Sequence, residues 1–200
     1  MTASDFGFTF PVGYRSFHRK QLYNFQLNRW HSLGYARLED MKAAGERIHD
    51  FRSWKRQMVG LAETALGEGR LINAAFYYRA AEFYTFEGDP DKSAFYSKFS
   101  GLFYSAFEAD GIEKHRVPYG EKFLPAIRVK PDARGKEGDL QGRPARGTIV
   151  IHGGFDSFIE EFYSWMRFFA ERGYEWTNAP FTPESVVDLR KTAERLLPER

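Results

Sequence analysis

The sequence has no cysteine. Disulfides, thiolate nucleophiles and cysteine-ligated zinc or iron–sulfur centres are therefore excluded. A cysteine-free chain fits a reducing cytoplasm, and that compartment is the expectation. No stretch approaches the roughly 18 apolar residues that a membrane span requires. The opening "MTASDFGFTFPVGYRSFHRK" lacks a basic start followed by an apolar run, so no signal peptide is expected. Charge of one sign is also missing: 29 basic residues face 27 acidic ones, a formal net of +2. That balance points to neither a nucleic-acid footprint nor a membrane surface as partner.

What the chain has in quantity is aromatic side chains: 20 Phe, 11 Tyr and 4 Trp in 200 residues. So many rings must form the core or line a pocket. Residues 1–34 read as irregular, with "FGFTF" alternating like a short strand before Pro11 and Gly13 break it. From Leu38 the pattern turns helical. Trp54, Met58, Leu61, Ala62 and Ala65 fall on one helix face. In "RLINAAFYYRAAEFYTF" two adjacent faces are apolar, which predicts a helix buried on more than one side. "EGDPDKS" opens the next helix, with Asp89 as cap and Pro90 at the first helical position. Phe95, Phe99, Leu102, Phe103 and Ala106 follow at helical spacing, and Gly111 is a stop. The Tyr-Phe stripe of residues 76–107 reads as core in preference to a pocket. Residues 1–112 thus read as a helical bundle of three or four helices with short antiparallel connections.

After Gly111 the period changes. "KHRVPYG" and "FLPAIRVK" read as short strands, whose prolines favour a sheet edge. Residues 131–147 are rich in glycine, proline and charge, and read as a solvated loop. Thr148–Ile151 form a continuous β-branched run, the pattern of a strand buried on both faces. A helix follows, capped by Asp156 or Ser157, with Phe158, Phe162, Trp165, Met166 and Phe169 facing inward. Adjacent Glu160 and Glu161 read as a solvated helix face. A strand leading into a helix calls for a parallel strand after Gly173. "EWTNAPFTPESVV" lacks the apolar run for one and reads as loop, with a helix over residues 183–197 capped by Thr182. The expected fold class is α/β: a helical bundle followed by an incomplete sheet of three strands. Such a sheet has open edges, which predicts poor order in residues 131–147 and 175–200, or a homodimer.

The segment "GTIVIHGGFDSFIEEFY" carries the functional reading. Together with the helical first half, it resembles the α/β-hydrolase superfamily. Within that superfamily it is most similar to members with an N-terminal helical cap, the 2,6-dihydropseudooxynicotine hydrolase and FrsA-like group. The likeness runs over residues 35–174. It implies a cap domain over residues 1–112 and part of the hydrolase core over residues 113–200. It also implies hydrolysis of an ester, amide or carbon–carbon bond in a small-molecule substrate, with no cofactor and no metal. Acyl transfer builds negative charge on an oxygen, and a backbone N–H aimed there stabilises it by about 3 kcal/mol. The resemblance places that donor at Phe155, with Gly153 and Gly154 letting the backbone approach the substrate. His152, Asp156 and Ser157 are the implied turn anchors.

The rest of the machinery is missing from the pattern. No serine has glycine two residues before and two after it. Ser32 in "WHSLG" has the second glycine, but Trp30 occupies the first position. The fold's chain order is serine, acid, histidine, and no histidine follows His152. No complete catalytic set is present, so the chain reads as truncated before the nucleophile and inactive alone. The five histidines show no pair at metal-ligand spacing. A second reading is a helical, tetratricopeptide-like interaction module without catalysis, suggested by the small and aromatic residues of "NAAFYYRAAEFYTFEGDPDKSAFYSKF".

Overall fold

A computed structural model describes residues 8–131, 145–154 and 156–179. The chain divides into two units, Met1–Ala109 and Asp110–Arg200. Among the described residues, no helix is long and apolar enough to cross a membrane.

The first unit holds five helices: α1 (Gln21–Ser32), α2 (Leu38–Arg47), α3 (Phe51–Gly67), α4 (Leu71–Phe83) and α5 (Pro90–Ala106). Helix α1 corrects the irregular reading of residues 1–34. Its apolar period is blurred because Asn24, Gln26, Asn28 and His31 are buried beside Tyr23, Leu27 and Trp30. Those asparagines act as backbone surrogates. Asn24 Oδ1 accepts the N–H groups of Phe17 and His18 at 2.7 and 3.0 Å. Asn28 exchanges two hydrogen bonds of 2.8 Å with the backbone of Arg15. The extended segment before α1 is thus satisfied by side chains where a strand would use a ladder. Phe8–Phe10, the described part of "FGFTF", is not a strand. Phe8 packs edge-on against Tyr35 instead, with ring centroids 5.6 Å apart.

Helix α4 is the axis of this unit, packed along both α3 and α5. Every residue from Ile72 to Glu82 is buried, as the two apolar faces predict. Phe76 stacks on Tyr35 at 3.5 Å and meets Phe99 at 5.3 Å. The Trp54 indole N–H donates to the Ala80 carbonyl at 2.7 Å, tying α3 to α4. Phe95, Phe99 and Phe103 are buried, which places most of the ring stripe in the core. Two charges go inside with it. Arg79 pairs with Glu82, and Lys92 reaches the same carboxylate at 2.6 Å. A buried ion needs such partners to offset its lost hydration.

The helix starts follow the sequence closely. Asp89 accepts the Asp91 N–H at 3.0 Å and caps α5. Lys55 binds the carboxylates of Asp89 and Asp91 at 2.9 and 2.7 Å. The Lys55 ammonium first, and the Asp91 N–H second, hold the Asp89 carboxyl below its ordinary 3.8. A group whose folded pKa is depressed stabilises the fold above its unfolded pKa and loses that effect as pH falls through its folded pKa. Asp89→Asn is therefore expected to be less stable than the parent at neutral pH, and the difference is expected to vanish as pH falls through the lowered folded pKa of Asp89. Urea unfolding across that range checks this.

Among the described residues, the second unit holds a four-stranded mixed sheet with one crossover. Strands β1 (Glu113–Tyr119) and β2 (Lys122–Val129) form an antiparallel hairpin. Strands β3 (Thr148–His152) and β4 (Glu175–Ala179) pair in parallel, joined through helix α6 (Tyr163–Ala170). The strand order is β1-β2-β4-β3. Both prolines sit where a missing N–H is tolerated: Pro118 is in the outer strand β1, and Pro125 precedes the stretch of β2, Ile127–Val129, that pairs with β4.

Strand β4 corrects two expectations. The parallel partner called for after Gly173 is present, and the sheet has four strands among the described residues. Its sequence "EWTNA" hides it, because the strand opens on a charge. Glu175 is nevertheless buried at 5% exposure. Its carboxylate takes Arg128 at 2.5 Å and the Thr148 hydroxyl at 3.4 Å. Arg128 also reaches Glu113 at 3.4 Å. Trp176 is buried against Phe169, with centroids 4.9 Å apart. The helix expected over residues 183–197 and most of the 131–147 loop lie outside the described residues.

Strand β3 corrects another. It is the outer strand on the far side of the described sheet, and Val150 is 43% exposed. A β-branched run fits a strand buried on both faces, but position in the sheet decides burial. The inner face of the following helix is also rotated. Its first turn, Ile159–Phe162, is a 3-10 turn. Three residues per turn instead of 3.6 shift the phase. Ile159, Tyr163, Met166 and Ala170 are buried, whereas Trp165 is 39% exposed. Of the five expected inward residues, only Met166 is buried.

Candidate functional site

The His152-Gly153-Gly154 turn leaves the carboxyl end of β3, where His152 still pairs with Ala179 of β4. In open α/β sheets this end of a parallel pair is where ligands collect, because loops and helix starts converge there. The two glycines have different reasons to be there. Neither has a left-handed φ, so conformational freedom does not explain them. Gly153 is buried, and a Cβ added to it would stand 2.9 Å from Ser157 Cβ and 3.0 Å from Phe162 Cε2. Close packing demands glycine there. Gly154 is exposed, and the nearest atom to an added Cβ is Asp156 Oδ1 at 3.8 Å. A side chain would fit there without a clash.

Gly153→Ala is therefore expected to destabilise the second unit by about 1–3 kcal/mol through overpacking. Gly154→Ala is expected to stay within about 0.5 kcal/mol of the parent. Thermal unfolding of the two variants, side by side, checks this asymmetry.

The turn closes on itself. The Ser157 N–H donates to the Gly154 carbonyl at 3.2 Å. His152 Nδ1 lies 3.2 Å from the Gly153 carbonyl. The helix start after it differs from the expected cap at Asp156 or Ser157. Phe158 occupies the cap position, and its N–H is accepted by Glu161 Oε1 at 3.1 Å. Glu160 and Glu161 are both buried, so the solvated-face reading of the pair is overturned. The 3-10 segment that carries them packs against β2 and β4. Farther along, the Tyr163 hydroxyl donates to Asp110, and Arg167 lies 3.4 Å from the same carboxylate. Sequence reading left out Tyr163 and took Glu161 for part of a solvated face. Phe155, the implied oxyanion donor, lies outside the described residues.

Other candidate groups are engaged elsewhere. Ser32 ends α1 and its hydroxyl donates to the Arg29 carbonyl at 3.2 Å. His18 contacts the Ile48 carbonyl at 2.9 Å through Nε2, and its Nδ1 accepts the Lys20 N–H at 2.9 Å. His115 sits in β1 with Glu113 at 3.7 Å. None of the three stands beside a serine–histidine pair among the described hydrogen bonds. Nor do three histidine or carboxylate side chains gather as a metal site among the described residues.

A helical unit followed by an antiparallel hairpin, a parallel β-α-β crossover and the order β1-β2-β4-β3 defines an α/β fold. Among solved structures the chain is similar to wild-type AbyA5, with a TM-score of 0.62 and 17% identity over 78% of this chain and 46% of that one. A second AbyA5 structure gives a TM-score of 0.51 and 18% identity over 73% and 41%. A crystal structure of the 2,6-dihydroxy-pseudo-oxynicotine hydrolase gives 0.49 and 20% over 76% and 44%. At these identities the likeness is one of fold. The chain spans less than half the length of each of these proteins. No family model matches the chain, and no curated protein matches it.

Proposed function

We propose that this chain carries the helical cap and the first part of the core of a serine-type hydrolase, and that the turn at residues 152–157 is its anion-stabilising corner. The substrate class is a small molecule with an ester, amide or activated carbon–carbon bond, whose carbonyl oxygen gains charge as the bond breaks. No cofactor enters this chemistry. The observation that carries the reading is the contrast between the two glycines. Gly153 is closely packed, while Gly154 is exposed at the carboxyl end of a parallel strand. A rigid mount beside an open peptide edge is what a preorganised oxyanion site requires, because no reorganisation then accompanies the reaction. In this reading Gly153, Gly154 and Phe155 form the site, and His152, Asp156 and Ser157 hold the turn.

The attacking group is not encoded here: no G-x-S-x-G is present and no histidine follows His152. A fluorophosphonate serine probe is expected to leave this chain unlabelled. One label per chain, mapped to a single serine, would overturn that part of the reading.

A further inference from the structure

Glu161 is 1% exposed, although its place on the helix beside Glu160 suggests a solvated face. A buried carboxylate is costly unless hydrogen bonds use it. One such use is visible. Glu161 Oε1 accepts the Phe158 N–H at 3.1 Å, and the Glu161 N–H returns to the Phe158 carbonyl at 3.1 Å. That reciprocal pair closes the far end of the glycine turn. Its near end is closed by the contact of Gly153 with Ser157 and Phe162, and its middle by the Ser157 N–H on the Gly154 carbonyl.

We infer that Glu161 is a positioning residue for the turn. Its carboxylate fixes Phe158, Phe158 fixes the adjoining Ser157, and Ser157 sets the Gly154 carbonyl. A carboxylate suits this task because a charged acceptor roughly doubles the strength of an N–H hydrogen bond. What the oriented backbone receives rests on the function proposed above; the orienting itself does not.

Amide exchange by NMR, with inorganic phosphate as the anion probe, tests both and keeps them apart. In Glu161→Ala, the Phe158 and Ser157 amides are expected to exchange about tenfold faster, the equivalent of one hydrogen bond. Ile127 and Trp176 in the sheet should keep their protection. Glu161→Gln, which retains an acceptor oxygen, should restore most of the turn's protection. Unchanged exchange at Phe158 and Ser157 in the alanine variant would overturn the inference. Should that variant lose the sheet as well, the glutamine variant decides. Protected turn amides there support the inference, and an unprotected turn above an intact sheet refutes it. Phosphate is expected to shift the Gly154 amide resonance in the parent and to shift it less in Glu161→Ala. A shift in the parent matched by an equal shift in Glu161→Ala would also overturn the positioning role. No shift in the parent would sink the anion-binding reading alone, with the exchange data still deciding the role of Glu161.

Discussion

Phe76→Ala is expected to destabilise the helical unit by about 3–5 kcal/mol. Phe76 is fully buried in the middle of α4. One face of its ring lies on Tyr35 at 3.5 Å, and Trp30, Phe99 and Phe103 stand around it at 6.2, 5.3 and 6.2 Å. Removing the ring loses the transfer free energy of the side chain and leaves a cavity. The walls of that cavity are large rigid rings on several segments, which relax little, so the cost falls toward the upper part of the range. Phe86→Ala serves as the control. Its ring is 68% exposed, and its loss should cost no more than about 0.5 kcal/mol. Urea unfolding followed by far-ultraviolet circular dichroism reads both. A cost below about 1 kcal/mol for Phe76→Ala would contradict the packing described.

Glu175→Ala should cost about 2–3 kcal/mol in the sheet, somewhat less than a wholly buried ion pair. Glu175 lies at the head of β4, where Arg128 of β2 meets it at 2.5 Å and Thr148 of β3 at 3.4 Å. Without it, Arg128 keeps only the longer contact to Glu113 and is left with charge in a half-dry site. The Glu175 carboxylate is the first cause holding the Arg128 guanidinium above its ordinary pKa. Replacing both partners, as Arg128→Met with Glu175→Met, should recover most of the loss. No charge is then stranded, and the added methylenes pack. Hydrogen exchange at Ile127–Val129 and Trp176 reports the sheet directly. A Glu175→Ala variant with unchanged protection there would show that the Arg128–Glu175 pair does not hold the sheet together.

Much of the helical half was legible because its signals are local. Asp89 caps because an aspartate before proline is built to do so, and Trp54, Met58, Ala62 and Ala65 share a face because the spacing leaves no alternative. Helix α1 was not legible, because Asn24 and Asn28 face inward to serve the backbone of residues 15–18. An apolar-period reading counts them as solvent residues. In the site, the glycine turn after β3 was placed correctly at the end of a strand. The need for Gly153 was not visible, since it comes from Ser157 and Phe162 folding back on it.

By itself the sequence determined the helix-rich first half, the change of period after Gly111, the strand that ends in paired glycines and the absence of a serine elbow. These depend on neighbours a few residues away, or on composition alone. Only the tertiary structure decided that "EWTNA" is an inner strand, that the β-branched run lies at the rim and that Glu161 is turned inward. A strand's burial depends on which strands flank it, and a charge can enter a core only where a distant partner such as Arg128 meets it. Local pattern carries no record of such partners, so these features emerge only when the chain has folded.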